Sequence, residues 1–428
     1  MMDTSVFLLS LYFALSIRLL ELVSARYFLS HIPTFLIIYI VFIVGMYIMG
    51  MYEVLQIGSR LKKIKSLTYV TFAAGLFGTT FFYLFHNDYT PKTVLAIQLA
   101  LLLTFSFLLR LLSDSQNKNK IKLAIIGGGK YKEELEKTVK ENPSFEIENS
   151  VQGLIEDFDR YSEKNIIDII KSKHLNILVL DLSDTKIIKL LPSIYDMSKA
   201  GIKIMDISLF YEFIFKKAML SSISYNWFFK EVKVDTKIYE LIKRIIDLIL
   251  CLPVLVVWAI LHPWVWWTIK KGDGKEVYSV QERVGRYNKK IYIKKYRTMT
   301  FTDAGVWHDN SENKITEVGA FLRKTRIDEL PQVFAVLRGD LSFIGPRTDN
   351  TNLWKNLETQ IENYNLRYSV TPGLSGWAQV NMDYQPRTVE DTRERFRYDL
   401  YYVKNRSVIL DIIIILKTIK TVLGREGS

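Results

Sequence analysis

The stretch that decides how this chain folds is LILCLPVLVVWAILHPWVWWTI, residues 248–269. None of these 22 residues carries a formal charge, and about 20 apolar residues are enough for a helix to cross a membrane. Pro253 lacks a backbone donor and clashes with the preceding helical turn, so it predicts a bend. Basic residues flank the stretch on both sides, at Lys237, Lys243, Arg244, Lys270, Lys271 and Lys275.

A re-entrant, kinked helix over about residues 245–270 explains both basic flanks. Lys and Arg favour the cytoplasmic side of a membrane, and a full crossing would leave one flank on the opposite side. A helix that enters and leaves on the same side keeps both flanks in the cytoplasm. The alternative is a fifth, kinked span. Near the C-terminus, residues 408–416 read VILDIIIIL, which is too short to span and predicts a membrane-surface or core helix.

Four apolar segments precede this stretch and predict an N-terminal four-helix transmembrane bundle. Three of them carry no charged residue over the length of a span. The first contains Arg18 and Glu21, which lie about one helical turn apart and can pair. The first residues lack the positive region and the small-residue cleavage site of a signal peptide. The predicted spans are 5–22, 32–52, 66–85 and 93–109.

The basic loops predict the orientation of the spans. Lys and Arg crowd the loop after the second span and the segment after the fourth, so the hydrophilic remainder should face the cytoplasm. These residues account for part of the net charge of +12, and a nucleic-acid partner is not needed to explain it. They are Arg60, Lys62, Lys63, Lys65, Lys118, Lys120 and Lys122.

Length and composition exclude several classes of protein. The chain has 428 residues, of which 49% are hydrophobic and 24% charged, so it is not disordered, collagen-like or disulfide-stapled. Its length predicts two or three domains. The lone Cys251 has no partner for an internal disulfide and lies in an apolar run, which indicates a buried thiol in a reducing compartment.

From Ile121 onward, the pattern predicts a Rossmann-like parallel α/β module. Short β-branched runs alternate with helical stretches near 131–141, 162–173 and 184–199, which is a βα repeat. The predicted strands are IKLAII (121–126), SVQGLI (150–155), LNILVLDL (175–182) and GIKIMDI (201–207).

The first βα turn carries three glycines, Gly127 to Gly129, where a Rossmann protein binds pyrophosphate. The fingerprint is incomplete, because Lys132 stands where the third glycine of G-x-G-x-x-G belongs. We therefore favour a structural or regulatory module. Tyr195 and Lys199 have the Y-x-x-x-K spacing of a catalytic pair, and an NAD-dependent epimerase or dehydratase behind a membrane anchor is the alternative.

The densest group of polar residues is FLRKTRIDELPQ, residues 321–332. Adjacent helical residues point about 100° apart, so Asp328 and Glu329 should have separate roles. One can attack phosphorus as a nucleophile, and the other can hold a hard cation such as Mg²⁺. Neighbouring cations would keep both carboxylates ionised and bind phosphates. The alternative is that Asp328 and Glu329 have no catalytic role, because acidic residues are common in the first turn of a helix, where they interact favourably with the helix dipole.

Other basic clusters fit a phosphate site, because Arg forms bidentate contacts with phosphate and Lys contributes a point charge. Taken singly, each is more often a solvated surface charge, and together they can attract anionic lipid. The clusters contain Arg283, Arg286, Lys294, Lys295, Arg297, Arg338 and Arg347.

From about Ile238 to the C-terminus, the sequence resembles the bacterial polyprenyl-phosphate sugar-1-phosphate transferases, the monotopic phosphoglycosyl transferases. The spans and the α/β module before it resemble the long form of that family, which initiates exopolysaccharide or O-antigen assembly. The resemblance rests on FLRKTRIDELPQ and on QERVG (281–285), KYRTM (295–299), LRGDLSFIGPR (337–347), TPGLSGWAQVN (371–381) and YDLYYVKNRS (398–407).

The resemblance implies that a UDP-sugar transfers its sugar phosphate to a polyprenyl phosphate and releases UMP. It implies that Asp328 is the nucleophile, which becomes a covalent aspartyl phosphosugar, and that Glu329 associates with Mg²⁺. It further implies an inner-membrane enzyme whose α-rich catalytic domain faces the cytoplasm. Candidates for contacts with substrate phosphate or for support of the site are Lys295, Arg297, Arg323, Arg326, Arg338, Arg347 and Asp399.

The chain departs from the family pattern at three places, and the Gly and Arg that it lacks near the substrate pocket put the identity of the sugar in doubt. Thr348 follows Gly345-Pro346-Arg347 where many relatives have Pro, Met382-Asp383 follow Asn381 where many have Gly-Arg, and Leu252 precedes Pro253 where Ser is usual. A non-catalytic scaffold for polysaccharide assembly remains a further alternative, and a homodimer is left open. The predicted domains of this mixed α/β membrane protein are 1–115 (spans), 116–230 (Rossmann-like) and 231–428 (catalytic).

Overall fold

The structure is a computed structural model that describes most of the chain and divides it into two compact units, 1–207 and 208–428. We call these the N-terminal and C-terminal units and describe each by itself. The described residues are 2–49, 51, 60–84, 92–116, 121–127, 129–142, 145–147, 172–199, 201–232, 237–273, 276–299 and 315–423.

Four apolar helices begin the N-terminal unit, as predicted. The first packs against the fourth, where Asp3 and Arg110 form an ion pair of 3.1 Å, and the third packs against both the second and the fourth. Buried aromatic and aliphatic side chains, among them Leu11, Phe35 and Phe42, fill the space between them. The helices are α1 (Met2–Leu19), α2 (Ala25–Ile48), α3 (Arg60–Leu84) and α4 (Lys92–Gln116).

The parallel sheet predicted after the spans is present. Its strands lie in the order β2-β1-β3-β4 and all pair in parallel. The three-residue strand β2 was not predicted. Several predicted features lie outside the described residues: the strand 150–155, nearly all of the helix 162–173, Gly128, and the basic loop residues Lys118 and Lys120. The elements are β1 (Ile121–Ile126), α5 (Gly129–Glu141), β2 (Phe145–Ile147), β3 (Ile177–Leu180), α6 (Thr185–Lys199) and β4 (Lys203–Asp206).

Gly127, in the turn after β1, has a steric reason to be glycine. Its φ is +82°, a left-handed conformation that glycine adopts without penalty. A Cβ at this position would lie 2.7 Å from the Cβ of Asp181, which follows β3. Backbone conformation and close packing therefore account for this glycine without a bound phosphate.

The C-terminal unit combines helices with two small two-stranded sheets. One sheet is the antiparallel hairpin β5-β6, and the other pairs β7 with β8 in parallel. The elements are α7 (Ile207–Phe215), α8 (Tyr225–Glu231), α9 (Lys237–Asp273), β5 (Tyr278–Val284), β6 (Lys290–Tyr296), α10 (Glu317–Lys324), α11 (Val333–Arg338), β7 (Ser342–Ile344), α12 (Thr351–Gln360), β8 (Gly373–Ser375), α13 (Val389–Asn405) and α14 (Val408–Leu423).

Helix α9, which carries the apolar stretch, has 37 residues and continues through Pro253 and Pro263. Among the described residues, it is one of four helices long and apolar enough to cross a membrane, together with α2, α3 and α4. Contacts with the rest of the C-terminal unit run along its length. Arg244 donates hydrogen bonds of 2.6 Å to the carbonyls of Val336 and Leu337 at the end of α11. Further along, Cys251 is buried among residues of β6 and α11, as its apolar surroundings predicted.

The second half of α9 is bound in the same way. His262 Nδ1 lies 2.8 Å from the hydroxyl of Tyr296 at the end of β6, and Val265 and Ile269 are buried against Val277 and Leu322. The opposite face of α9 is an exposed row of apolar side chains at helical spacing, which we call the apolar stripe. It consists of Ile238, Leu241, Ile245, Ile249, Leu252, Val256, Ile260, Trp264 and Trp267.

The segment from Ser208 to Val232 belongs to the same compact unit as the family-like region. It packs on α13 through an ion pair of 3.0 Å between Glu212 and Lys404 and through the Ala218 carbonyl, which accepts from Arg397. The backbone carbonyl of Lys216 accepts a hydrogen bond from the indole of Trp377. The predicted Rossmann-like module, 116–230, includes most of this segment.

Candidate functional site

Asp328 and Glu329 lie on a 3₁₀ helix, Ile327–Gln332, between α10 and α11. Helix α10 has Thr316 as its N-cap and Thr325 as its C-cap, and Arg326 then adopts a left-handed conformation with φ of 59°. That reversal starts a new helical segment at once, and Pro331 lies within it. The two carboxylates are therefore held on a short, tight helix rather than in the regular first turn of a long one.

The carboxylate of Asp328 is buried but not fully bonded. The residue is 9% exposed, and its Oδ1 makes no hydrogen bond to any residue that the structure describes. Burial and the charge of Glu329 raise the pKa of Asp328, although Lys295, Arg323 and Arg326 act in the opposite direction. A buried carboxylate with an unbonded oxygen is suited to receive a ligand or to attack one.

Glu329 has the opposite electrostatic environment. Its Oε1 accepts a hydrogen bond of 2.7 Å from Lys295 Nζ and one of 3.4 Å from the Arg347 guanidinium. Burial alone would raise the pKa of Glu329, but the charges of Arg347 and Lys295 hold it well below its usual range. The pKa of Asp328 is thus raised while that of the adjacent Glu329 is lowered. Opposite shifts of two neighbouring carboxyl groups are typical of residues with different chemical roles.

Four of the predicted basic residues act on this pair, namely Lys295, Arg323, Arg326 and Arg347. Lys295 comes from the end of β6, and Arg323 donates to the hydroxyl of Thr298. Arg297 donates to the carbonyl of Met299. Arg326 acts electrostatically on both carboxylates, and Arg347 bonds Glu329. The cations outnumber the two carboxylates, so the site has an excess of positive charge that favours a phosphorylated ligand.

Two other predicted residues contact neither carboxylate. Arg338 is half exposed and bonds Asp340 at 2.8 Å and the carbonyl of Tyr292. Asp399 is buried on α13 and accepts hydrogen bonds of 2.9 Å and 2.7 Å from Arg367. Arg367 itself was missed, because a single arginine in NLRYS carries no signal that distinguishes it from a solvated surface charge.

Sequence comparison places this geometry in a known family. The sequence model of the family described as bacterial sugar transferase matches residues 238–425, which contain every site residue above. A sugar transferase of Bacillus subtilis, named as uncharacterised, is 34% identical over 190 residues, which make up 44% of this chain and 90% of that protein. This chain belongs to the bacterial sugar transferase family.

Longer relatives of this chain have more specific names. The UDP-N-acetylgalactosamine-undecaprenyl-phosphate N-acetylgalactosaminephosphotransferase of Aeromonas hydrophila is 38% identical over 201 residues, 45% of this chain and 46% of that protein. The undecaprenyl-phosphate galactose phosphotransferase of Salmonella typhimurium is 32% identical over 205 residues, 44% of this chain and 41% of that protein. The chain matches less than half the length of these two relatives.

The donor atoms of the candidate site fit a hard divalent cation whose remaining ligands come from phosphate oxygens and water. The described residues contain no group of three or more His, Cys, Asp or Glu side chains that can hold a metal. The Asp328–Glu329 pair supplies two carboxylates, one with an unbonded buried oxygen. Mg²⁺ commonly takes one or two carboxylates and fills its remaining positions with phosphate oxygens and water.

The Y-x-x-x-K pair lies in the N-terminal unit, on the surface of α6. Tyr195 is 64% exposed, and the Lys199 ammonium lies 5.0 Å from the centre of its ring. This arrangement is an ordinary cation–π contact between neighbouring turns of a helix.

Proposed function

We propose that this protein transfers a sugar-1-phosphate from a UDP-sugar to a membrane polyprenyl phosphate, through a covalent intermediate on Asp328. The observation that carries the proposal is the buried carboxylate of Asp328, which has an unbonded oxygen and is surrounded by an excess of cations. The names of the relatives, which act on undecaprenyl phosphate, support the acceptor, and one of those names includes the UDP-sugar donor.

The first step forms and breaks one bond to phosphorus. An oxygen of Asp328 attacks the β-phosphorus of the UDP-sugar, and the bond from that phosphorus to the bridging oxygen breaks. UMP leaves with the bridging oxygen, and an aspartyl phosphosugar remains. Arg323 and Arg326 are close enough to lower the pKa of Asp328, so they also favour the ionised nucleophile and the negatively charged phosphates.

The second step returns the enzyme to its starting state. A phosphate oxygen of the polyprenyl phosphate attacks the phosphorus of the aspartyl phosphosugar, and the bond between phosphorus and the Asp328 oxygen breaks. The product is a polyprenyl diphosphate sugar, and the carboxylate of Asp328 is free again. Lys295 and Arg347, which bond Glu329, contribute further positive charge to the site.

We propose that Glu329, together with Asp328, holds Mg²⁺ when the nucleotide is bound. When bound, the ion neutralises phosphate charge and orients the diphosphate. The strongly depressed pKa of Glu329 keeps its carboxylate ionised and therefore able to bind a cation.

A direct assay tests the proposed activity. Membranes that contain the full chain are incubated with a panel of UDP-sugars, with and without polyprenyl phosphate and Mg²⁺, and UMP and the lipid product are quantified. We expect one or a few donors to give both products in equal amounts. Absence of UMP and lipid product with every donor would disprove the activity.

We further propose that both ends of α9 face the cytoplasm of a bacterial inner membrane. Residues of the same compact unit bind α9 from Arg244 to Ile269, on the face opposite the apolar stripe. In a helix that fully crosses the bilayer, these polar partners would have to enter the hydrocarbon, where unsatisfied polar groups are costly. A helix that enters one leaflet and returns buries the stripe and leaves its partners in water.

Cysteine labelling tests this topology. Cys251 is replaced by serine, and single cysteines are introduced at Lys237, at Lys271, or at Asn87, which lies between the predicted third and fourth spans. We expect a membrane-impermeant maleimide to label intact spheroplasts only at position 87. Both flanks of α9 should react only after permeabilisation, and labelling of one flank alone in intact spheroplasts would refute the re-entrant helix.

A further inference from the structure

Arg367 is the centre of a fully buried ionic network in the C-terminal unit. Its side chain is 0% exposed and forms ion pairs with Asp399, at 2.7 Å, and with Asp349. Asp349 also pairs with Arg395 at 2.7 Å. Such a network is costly to desolvate, and an apolar core of the same volume is often equally stable. Stability alone is therefore a weak explanation for these charges.

The network has a direct connection to the candidate site. Arg367 donates a hydrogen bond of 2.7 Å to the backbone carbonyl of Arg347. The side chain of Arg347 bonds Glu329 at 3.4 Å. A single guanidinium thus links the two buried aspartates to the main chain of a residue that contacts the reactive pair.

Other contacts hold the same backbone segment, 347–349, from the side of β5. The hydroxyl of Thr348 donates to the carbonyl of Val284 at 2.5 Å, and the Val284 amide donates to the carbonyl of Asp349 at 3.0 Å. Arg367 holds the segment from the side of α13, through Asp399. The segment therefore lies between Val284 of β5 and the Arg367 side chain. The planar guanidinium of Arg367 has hydrogen-bond donors in a fixed geometry, which suits it to hold the segment in this position.

We infer that Arg367 is a positioning residue, which fixes the backbone at Arg347 so that the Arg347 guanidinium stays on Glu329 and on the phosphate of the substrate. This inference rests on the proposed function. It assigns Asp399 and Asp349 an indirect role, since they orient Arg367 without contacting the reacting atoms. Positioning partners of this kind typically change activity about 10- to 100-fold when they are replaced.

Two substitutions separate positioning from charge neutralisation. Arg367→Lys retains a positive charge beside Asp349 and Asp399. A lysine ammonium lacks the planar guanidinium, so it cannot reproduce all the hydrogen bonds that Arg367 donates to the two aspartates and to the Arg347 carbonyl. Arg367→Met removes the charge. We expect Arg367→Lys to melt at a higher temperature than Arg367→Met yet to lose about 10- to 100-fold in transfer rate. Recovery of the wild-type rate by Arg367→Lys would show that only the charge matters and would overturn the inference.

A matched control uses another buried arginine. Arg397 on α13 donates to the carbonyl of Ala218 and to Glu394, which both lie outside segment 347–349. We expect Arg397→Lys to lower the melting temperature but to leave the transfer rate per folded molecule within about twofold of wild type. A loss equal to that of Arg367→Lys would indicate a general packing effect and contradict the inference.

Two further measurements complete the test. Amide hydrogen exchange should accelerate at residues 345 and 347–349 in Arg367→Lys and not in Arg397→Lys. Unchanged exchange there would overturn the inference whether or not the chain transfers sugar phosphate. In an Arg347→Lys background, Arg367→Lys should cost little further activity, because both changes act on one contact. Fully additive losses would contradict the inference. Failure of the wild-type chain in the donor assay would instead disprove the proposed function, with hydrogen exchange still deciding the role of Arg367.

Discussion

Replacement of Asp328 by asparagine is expected to abolish transfer, with a loss of about four orders of magnitude or more. Asparagine has nearly the same shape, but its amide is not a nucleophile and does not form the acyl phosphate. The Oδ1 of Asp328 has no hydrogen-bond partner among the described residues, so the substitution breaks no bond of that atom. We therefore expect a folded protein that lacks only the chemical step.

The same variant tests the covalent intermediate. Wild-type protein is incubated with a labelled UDP-sugar in the absence of lipid acceptor and quenched, and the labelled peptide is identified by mass spectrometry. Label should appear on the peptide that contains residue 328 in the wild type and be absent from Asp328→Asn. Glu390→Gln, at a carboxylate that is 86% exposed, serves as the matched control and should behave as wild type. Full turnover by Asp328→Asn would eliminate the nucleophile assignment.

Glu329→Gln is expected to lower the transfer rate by about 100- to 1,000-fold. Glutamine retains a carbonyl oxygen that can accept from Lys295 and Arg347, but it lacks the negative charge and so leaves their charges unbalanced beside Asp328. The substitution also removes one of the two carboxylates available to a divalent cation. Glu329→Asp retains the charge and should recover part of the rate.

Metal binding gives this variant a readout that is independent of activity. Mn²⁺, used as a paramagnetic substitute for Mg²⁺, is titrated into the full chain in the presence of a UDP-sugar and followed by electron paramagnetic resonance. We expect weaker binding to Glu329→Gln than to wild type. Equal affinity for Mn²⁺ in the two proteins would mean that Glu329 acts through Lys295 and Arg347 alone.

The sequence could predict most elements of the fold whose signal is local. Charge-free runs identify α2, α3 and α4, and the alternation of apolar runs with helical stretches indicates the parallel sheet. Strand β2 was missed because the three residues of FEI are too few for a periodic pattern. The outcome at Pro253 also depends on tertiary packing, since α9 remains helical through it while neighbouring elements bind one side of the helix.

The site was predictable as a set of residue types but not as a set of roles. The motif FLRKTRIDELPQ identified Asp328 and Glu329 as candidate site residues, and the basic clusters identified Lys295 and Arg347. The cations have the expected effect on the pKa of Glu329, whereas burial outweighs them at Asp328. Burial comes from distant elements and cannot be inferred from neighbours in sequence. For the same reason Arg338 and Arg367 look alike in the sequence, yet one is half exposed and the other is fully enclosed.

The apolar stripe of α9 has a kinetic consequence. In the proposed membrane arrangement, it would fix the height of the Asp328 carboxylate relative to the acyl chains, because the opposite face of the same helix is bonded to α11. In the proposed reaction, a lipid-linked acceptor would reach this carboxylate by lateral diffusion within one leaflet, so the two would meet on a surface and not in a volume. The rate of this encounter should follow the surface density of the acceptor rather than its bulk concentration.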